Sequence, residues 1–451
     1  MSVSDSGTLA WITAHEAVGA LREGQISVAE YAEACLAQIE REEERVRAWA
    51  YLDREFARSR ARALDQHRQE GKALGPLHGV PVGIKDIIDT DDMPTEDGTP
   101  LHAGRQPTED ATVVARLRQA GALILGKTVT TEMATYAPGK TRNPRNPAHT
   151  PGGSSSGSAA AVAAGMVPVA LGTQTNGSVI RPAAYCGVYG FKPTRGLISR
   201  HGILRQSRVL DQVGVFARDL RDIALTAEQL MGFDEHDAAT QPRPRPQLLR
   251  MLAEEPPFPP RLAFIKTPRW DEAEAETREA FGELAEHLGE GLEEVPIGGS
   301  FRGAWDALQV IMEADIARSY RHEYQRGRDQ LSRSLRDQIE RGQRVLASEY
   351  NDAVDSIEGY YGALEEIRLD FDAIVTPATT GTAPPGLEST GSPVFCSLWT
   401  LCGMPALSLP LMQGANGLPL GVQLVGFRGE DARLLRTAHW LVRRLQEPAA
   451  G

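Results

Sequence analysis

Residues 151–182, PGGSSSGSAAAVAAGMVPVALGTQTNGSVIRP, constrain the fold more than any other part of this chain. They hold five serines and six glycines, no acidic residue, and a single arginine near the end. Glycine lets backbone approach a neighbour closely. A serine set among such N–H groups can be a nucleophile with an oxyanion site beside it. A flexible linker would also use Gly and Ser, but it would not run on into the apolar stretch 166–171. The segment therefore belongs to a packed core, and we read it as an active site.

The rest of the sequence narrows the class. A hydrophobic fraction of 41% and a charged fraction of 24% are those of an ordinary globular protein. The net charge of −12, with no basic stripe, argues against a nucleic-acid partner. No apolar run approaches the length of a membrane span. The amino-terminal stretch 1–24 lacks the basic and apolar regions of a secretion signal, so a cytoplasmic protein is expected. Cys35, Cys186, Cys396 and Cys402 form no CxxC pair and are expected as buried free thiols. The ten histidines show no metal spacing.

Periodicity gives an alternating order of helices and strands. Ser27 and Glu30 make a capping box ahead of Tyr31, Cys35 and Ile39 at helical spacing. Helices are also expected over 54–70, 111–120, 158–164 and 431–445. Strands are expected at 80–84, 122–125, 168–171, 262–265, 373–376, 407–411 and 421–425. The proline-rich stretch 234–260 reads as a surface connection, and 272–369 as a variable, Arg/Glu-rich helical region. This order predicts an α/β fold with helices on both faces of a largely buried sheet. One domain over 1–451 is expected, with a catalytic core at about 70–215 and 370–430.

Only six of the 48 basic residues are lysine: Lys72, Lys85, Lys127, Lys140, Lys192 and Lys266. A lysine kept in an apolar, Gly-rich setting can do what arginine cannot, which is shed its proton. Three hydrolase patterns compete for the serines. Gly153-Ser154-Ser155-Ser156-Gly157 matches a G-x-S-x-G elbow with Ser155 as nucleophile, but the proline-rich stretch 143–151 before it is a poor strand. A Ser-x-x-Lys site fails, because no lysine has serine three residues before it. The third pattern joins VGIKDIIDT around Lys85 to GGSSSGSAAA and to GTQTNGSVIRP. Together with AIVTPATTGTAPP and LPLGVQLVG, these resemble the amidase signature family, and the SSSGS, GTQT and SVIRP spellings its malonamidase-like subgroup.

That resemblance implies the large mixed sheet of the amidase signature fold. It also implies a Ser–Ser–Lys triad, with Lys85 as general base, Ser154 as bridging serine at a cis peptide bond, and Ser178 as nucleophile. Backbone N–H groups of Thr175, Asn176, Gly177 and Ser178 would form the oxyanion hole, with Ser155 a supporting hydrogen-bonder. Asn176 stands where the family usually has glycine, which asks whether the position needs positive φ. Arg181 would hold a substrate carboxylate; the alternative is a structural ion pair. The residues agree with these roles, since a hydroxyl needs a nearby base and burial can make lysine one.

Other readings are structural. Ser156 and Ser158 are expected to cap the Ala-rich helix, Asp86 and Asp89 to pair locally, and His149 to bond within its loop. Trp399 and loop 377–385 either line a substrate funnel or belong to the core. The expected function is hydrolysis of a small amide, one carrying a carboxylate being favoured, with no metal or cofactor. Alternatives are aryl or acyl amides, ureas or carbamates, or the amidase subunit of a tRNA-dependent amidotransferase. The acidic balance and the subgroup spelling speak against the last. Family habit implies a homodimer.

Overall fold

The computed structural model describes residues 6–446; residues 1–5 of the amino-terminal stretch and 447–451 lie outside it. Eleven strands form one sheet: β1 (Trp49–Tyr51), β2 (Pro81–Lys85), β3 (Leu123–Thr128), β4 (Val169–Gln174), β5 (Tyr189–Lys192), β6 (Gln212–Ala217), β7 (Leu262–Phe264), β8 (Leu292–Glu294), β9 (Ala373–Pro377), β10 (Ala406–Gln413) and β11 (Pro419–Val425). Their spatial order is β1-β3-β2-β4-β6-β5-β10-β11-β9-β7-β8. β2 runs parallel to both β3 and β4, and β7 parallel to β8 and β9, while the strands between are antiparallel. The sheet is therefore mixed.

Side-chain alternation along the strands separates its two faces. Val169 and Leu171 of β4 pack with Ile223 and Leu230 of helix Leu220–Leu230, whereas Ala170 between them packs with the helices Val28–Val46 and Ser156–Ala163. Helix Ser156–Ala163 is built of small residues because it lies almost against the sheet. A Cβ at Gly157 would come within 2.3 Å of the Ala48 carbonyl and the Val129 N–H, so only glycine fits.

The expected helix and strand positions hold, with ends shifted by a few residues. Three differences matter. β4 runs on to Gln174, past the expected end at 171, which places Thr173 in the sheet. The region 272–369 is not wholly helical, because Leu292–Glu294 adds an edge strand. The proline-rich connection contains a short helix, Leu248–Ala253, seated by buried Leu248 and Leu252. Ser156 and Ser158 do not cap their helix. They donate to Val129 O at 3.3 Å and Leu171 O at 2.7 Å, because the helix start is buried against β4 and the end of β3 and the serine hydroxyls must find partners there.

Candidate active site

Parallel strands β2 and β4 end at the same edge of the sheet, where α/β folds usually place ligands. β2 delivers Lys85 there and β4 delivers Thr173. Lys85 is fully buried, and its Nζ lies 2.7 Å from Ser154 Oγ and 2.8 Å from Thr173 Oγ1. Burial pushes its ammonium well below the ordinary lysine value, against an opposing pull from the Asp211 carboxylate. The Gly153–Ser154 peptide is cis. Ser155 Oγ both accepts from Thr173 N–H and donates to Thr173 O, at 3.2 Å each. It thereby fixes the residue that contacts Lys85.

Ser178 lies on the turn between β4 and helix Ile180–Cys186, 9% exposed, and its Oγ has no hydrogen-bond partner among the described residues. Lys85 and Ser154 are thus joined directly, while the Ser154–Ser178 contact is not made in the free protein. Catalytic hydrogen bonds often tighten only when substrate binds. Two links hold the serine loops side by side: Ser155 to Thr173, and Arg181 Nη2 to Gly153 O at 2.7 Å. Gln174 Oε1 accepts from Val179 and Ile180 N–H at 2.8 and 3.0 Å, which shapes the turn carrying Ser178.

The N–H groups of Asn176, Gly177 and Ser178 find no acceptor among the described residues. Free donors at this point suit a developing oxyanion. Asn176 does not adopt positive φ, so it is not there to replace glycine conformationally. Its side chain is instead an anchor, accepting from Ser397 Oγ at 2.7 Å and donating to Tyr136 Oη at 3.3 Å, while its carbonyl accepts from Thr400 Oγ1 at 2.6 Å. At Gly177 a Cβ would sit 2.9 Å from Pro393. Thr175 Oγ1 donates to Asp211 Oδ1 at 2.7 Å, and Asp211 Oδ2 accepts from the Gln206 and Ser207 N–H groups at 2.8 and 2.9 Å. Enclosure pushes the Asp211 carboxyl up to about 6.

Arg181 is 1% exposed and has no carboxylate partner among the described residues, so the structural ion pair is not found. It braces the cis-peptide loop against residues 390–391, donating also to Thr390 Oγ1 at 3.2 Å and Gly391 O at 3.1 Å. Its Nε is buried without a partner. Trp399 is fully buried and belongs to the core rather than to a funnel. His149 bonds Ala383 O at 2.7 Å, tying its loop to a distant one rather than bonding within it, and Asp89 pairs locally with Arg105 at 2.7 Å. One group of three carboxylates meets among the described residues, Asp91, Asp92 and Asp110, and Arg118 already pairs with all three, at 3.6, 2.7 and 2.8 Å.

Sequence reasoning missed Thr173 and Asp211. Thr173 was legible in principle, because it sits two residues beyond Leu171 in a parallel strand beside β2. Asp211 had no local signal; it reaches the site only through the β4–β6 pairing.

A buried amine against a serine, beside free backbone donors on a glycine-bearing turn, is the equipment of an acyl-transferring hydrolase. Comparison with known proteins names the group. The chain matches the Amidase family over residues 30–435 and belongs to it. It is 35% identical to a glutamyl-tRNA(Gln) amidotransferase subunit of Chloroflexus aggregans, over 95% of each chain. A solved amidase structure is 30% identical, covers 96% of this chain and 100% of its own, and superposes with a TM-score of 0.85. The native peptide amidase of Stenotrophomonas maltophilia is 29% identical, covers 97% of both chains and gives 0.84. The protein is a serine amidase, a hydrolase of C–N amide bonds. No helix among the described residues is long and apolar enough to cross a membrane.

Proposed function

We propose that this amidase works through an acyl-enzyme on Ser178. Ser178 Oγ attacks the amide carbonyl while its proton passes to Ser154, whose own proton passes to the neutral amine of Lys85. The N–H groups of Thr175, Asn176, Gly177 and Ser178 receive the oxyanion. Collapse breaks the C–N bond, and the amine leaves with the proton returned through Ser154. Water then cleaves the ester by the same relay and releases the acid. The observation that carries this reading is the 2.7 Å contact between a fully buried Lys85 and Ser154.

The substrate we favour is a small amide carrying a carboxylate, as in the malonamidase-like subgroup. Arg181 supports this, being a buried guanidinium with no counter-ion among the described residues. A second reading, the amidase subunit of a tRNA-dependent amidotransferase, is supported by relatives named for that enzyme at 35% identity. The two share their amide chemistry and differ in the need for a partner. The four cysteines are buried and unpaired, which supports a reducing, cytoplasmic setting.

Ammonia or amine release by the purified chain alone, across acidic, neutral and aryl amides, tests both readings. Ser178→Ala is expected to lower kcat by about 10⁴-fold or more while the protein stays folded. Wild-type turnover in that variant removes Ser178 as nucleophile. Turnover that appears only with added partner subunits favours the second reading.

A further inference from the structure

Above the turn that carries Ser178 lies a cavity of ≈ 400 Å³. Asn176 and Tyr136 form its inner end, and Trp305, Glu313, Gln338 and Arg341 line it farther out. The outer residues come from helices Ala304–Ser319 and Arg333–Gly342, in the Arg/Glu-rich region 272–369.

Two acceptors in this wall lack donors. Glu313 is 6% exposed, and all three of its donors converge on one oxygen: Arg341 Nε at 2.9 Å, Arg341 Nη2 at 2.7 Å and Gln309 Nε2 at 3.2 Å. Its Oε2 has no hydrogen-bond partner among the described residues. Gln338 is 3% exposed, and its Oε1 is sealed without a donor. Glu313 Oε2 is not sealed, so a ligand in the cavity can supply its donor, whereas Gln338 Oε1 is closed off behind it. The cations of the wall are already matched. Arg341 is paired with Glu313, and Arg269 with Glu272 at 3.2 Å. A third carboxylate, Asp337, meets only exposed Arg333 at 3.7 Å. Two guanidiniums thus face three carboxylates, and the wall is net negative.

We propose that this vestibule recognises a protonated primary amine on the substrate, held by Glu313 while the amide reaches Ser178. The proposal rests on the serine-amidase reading above and adds the chemistry of the distal group. An ammonium provides donors and a positive charge, which suits the free oxygen of Glu313 in a lining with one more carboxylate than guanidinium.

The test compares ω-aminoalkanamides of graded chain length with unsubstituted alkanamides of the same length. At the best length the ammonium member is expected to lead in kcat/KM by about tenfold to a hundredfold, the worth of one charge-assisted hydrogen bond. Glu313→Gln should shrink that ratio towards unity. The double variant Glu313→Gln with Arg341→Gln reads the same ratio where the single change leaves Arg341 uncompensated and the helix pair unstable. If no member is turned over, calorimetric binding of the same pairs reads the preference. Equal constants for ammonium and alkyl members, a ratio that survives Glu313→Gln, or no binding at all overturns the proposal. Its failure is separable from failure of the catalytic reading, because selectivity can vanish while hydrolysis still requires Ser178.

Discussion

Lys85 closes β2 and Lys192 closes β5, and both are fully buried in the same sheet. Burial lowers both ammonium groups, Lys192 to about 7. Their partners differ. Lys85 meets two hydroxyls, Ser154 and Thr173. Lys192 meets carbonyl-type oxygens: Gln212 Oε1 at 2.8 Å, Pro193 O at 3.3 Å and Met404 O. A hydroxyl can give its proton to an amine and recover it; a carbonyl can only accept. Lys127, a third buried lysine, donates to Ile88 O at 2.6 Å and Thr95 Oγ1 at 2.5 Å with Asp86 3.9 Å away, and it ties loop 88–95 to β3. Burial makes a lysine able to lose its proton. A hydroxyl beside it is not enough, since Lys127 meets Thr95 Oγ1 as well; in the proposed relay the hydroxyl must, like Ser154, also stand beside the loop that carries Ser178.

Exchanging each lysine for methionine tests this contrast most severely. Lys85→Met is expected to lower kcat by about 10²- to 10⁴-fold, the usual worth of a general base, with the melting temperature held or raised. Lys192→Met is expected to change stability and leave kcat near wild type. Steady-state kinetics and thermal unfolding of both proteins supply the measurement. A comparable loss of kcat in the two variants would erase the distinction.

The same contrast shows what the sequence could and could not disclose. The scarcity of lysine and the alternation of Val80, Val82 and Ile84 pointed to Lys85 on a buried strand. Neither signal separates it from Lys127 or Lys192, because the partners of each amine come from residues distant in sequence, such as Ser154, Thr95 and Met404. β1, β5 and β8 are three or four residues long, too short for a period to declare itself. The capping expectation at Ser156 and Ser158 failed because burial redirected their hydroxyls to strand carbonyls. Glu313 and Gln338 sat in a charged helical region whose pattern matches a solvated surface, and only packing turned them towards the cavity.

A milder test removes one hydroxyl from the catalytic side. A neutral amine has one lone pair. If Thr173 accepts an N–H, that lone pair is left for the Ser154 proton. Thr173→Val keeps the shape and deletes the acceptor, so the amine loses its orientation. The expected result is a fall in kcat of about tenfold with KM little changed, in line with one hydrogen bond to a charged or charging group. The acid limb of the rate profile should also move to lower pH, because the ammonium has lost a stabilising oxygen. An unmoved limb with unchanged kcat would make Thr173 a spectator.

The smallest effect lies on the Lys192 side and is read in stability. The Lys192 pKa falls from 10.5 in the unfolded chain to about 7 in the folded one. Between those values the unfolded chain holds a proton that the folded chain has released, so this residue makes stability rise with pH, by at most about 1.4 kcal/mol per unit. Below about 7 both forms are protonated and the residue adds no slope. Asp86 and Asp222, with carboxyls at about 7, and the four buried thiols, pushed up to about 12, also titrate differently in the two states. The informative quantity is therefore the difference between wild type and Lys192→Met. Denaturant midpoints taken from neutral to mildly alkaline pH should converge on the variant's from below, or overtake them, as the amine of the wild type is relieved of its charge. Parallel curves would mean that Lys192 keeps its proton in the folded state, and that its three oxygen partners outweigh its burial.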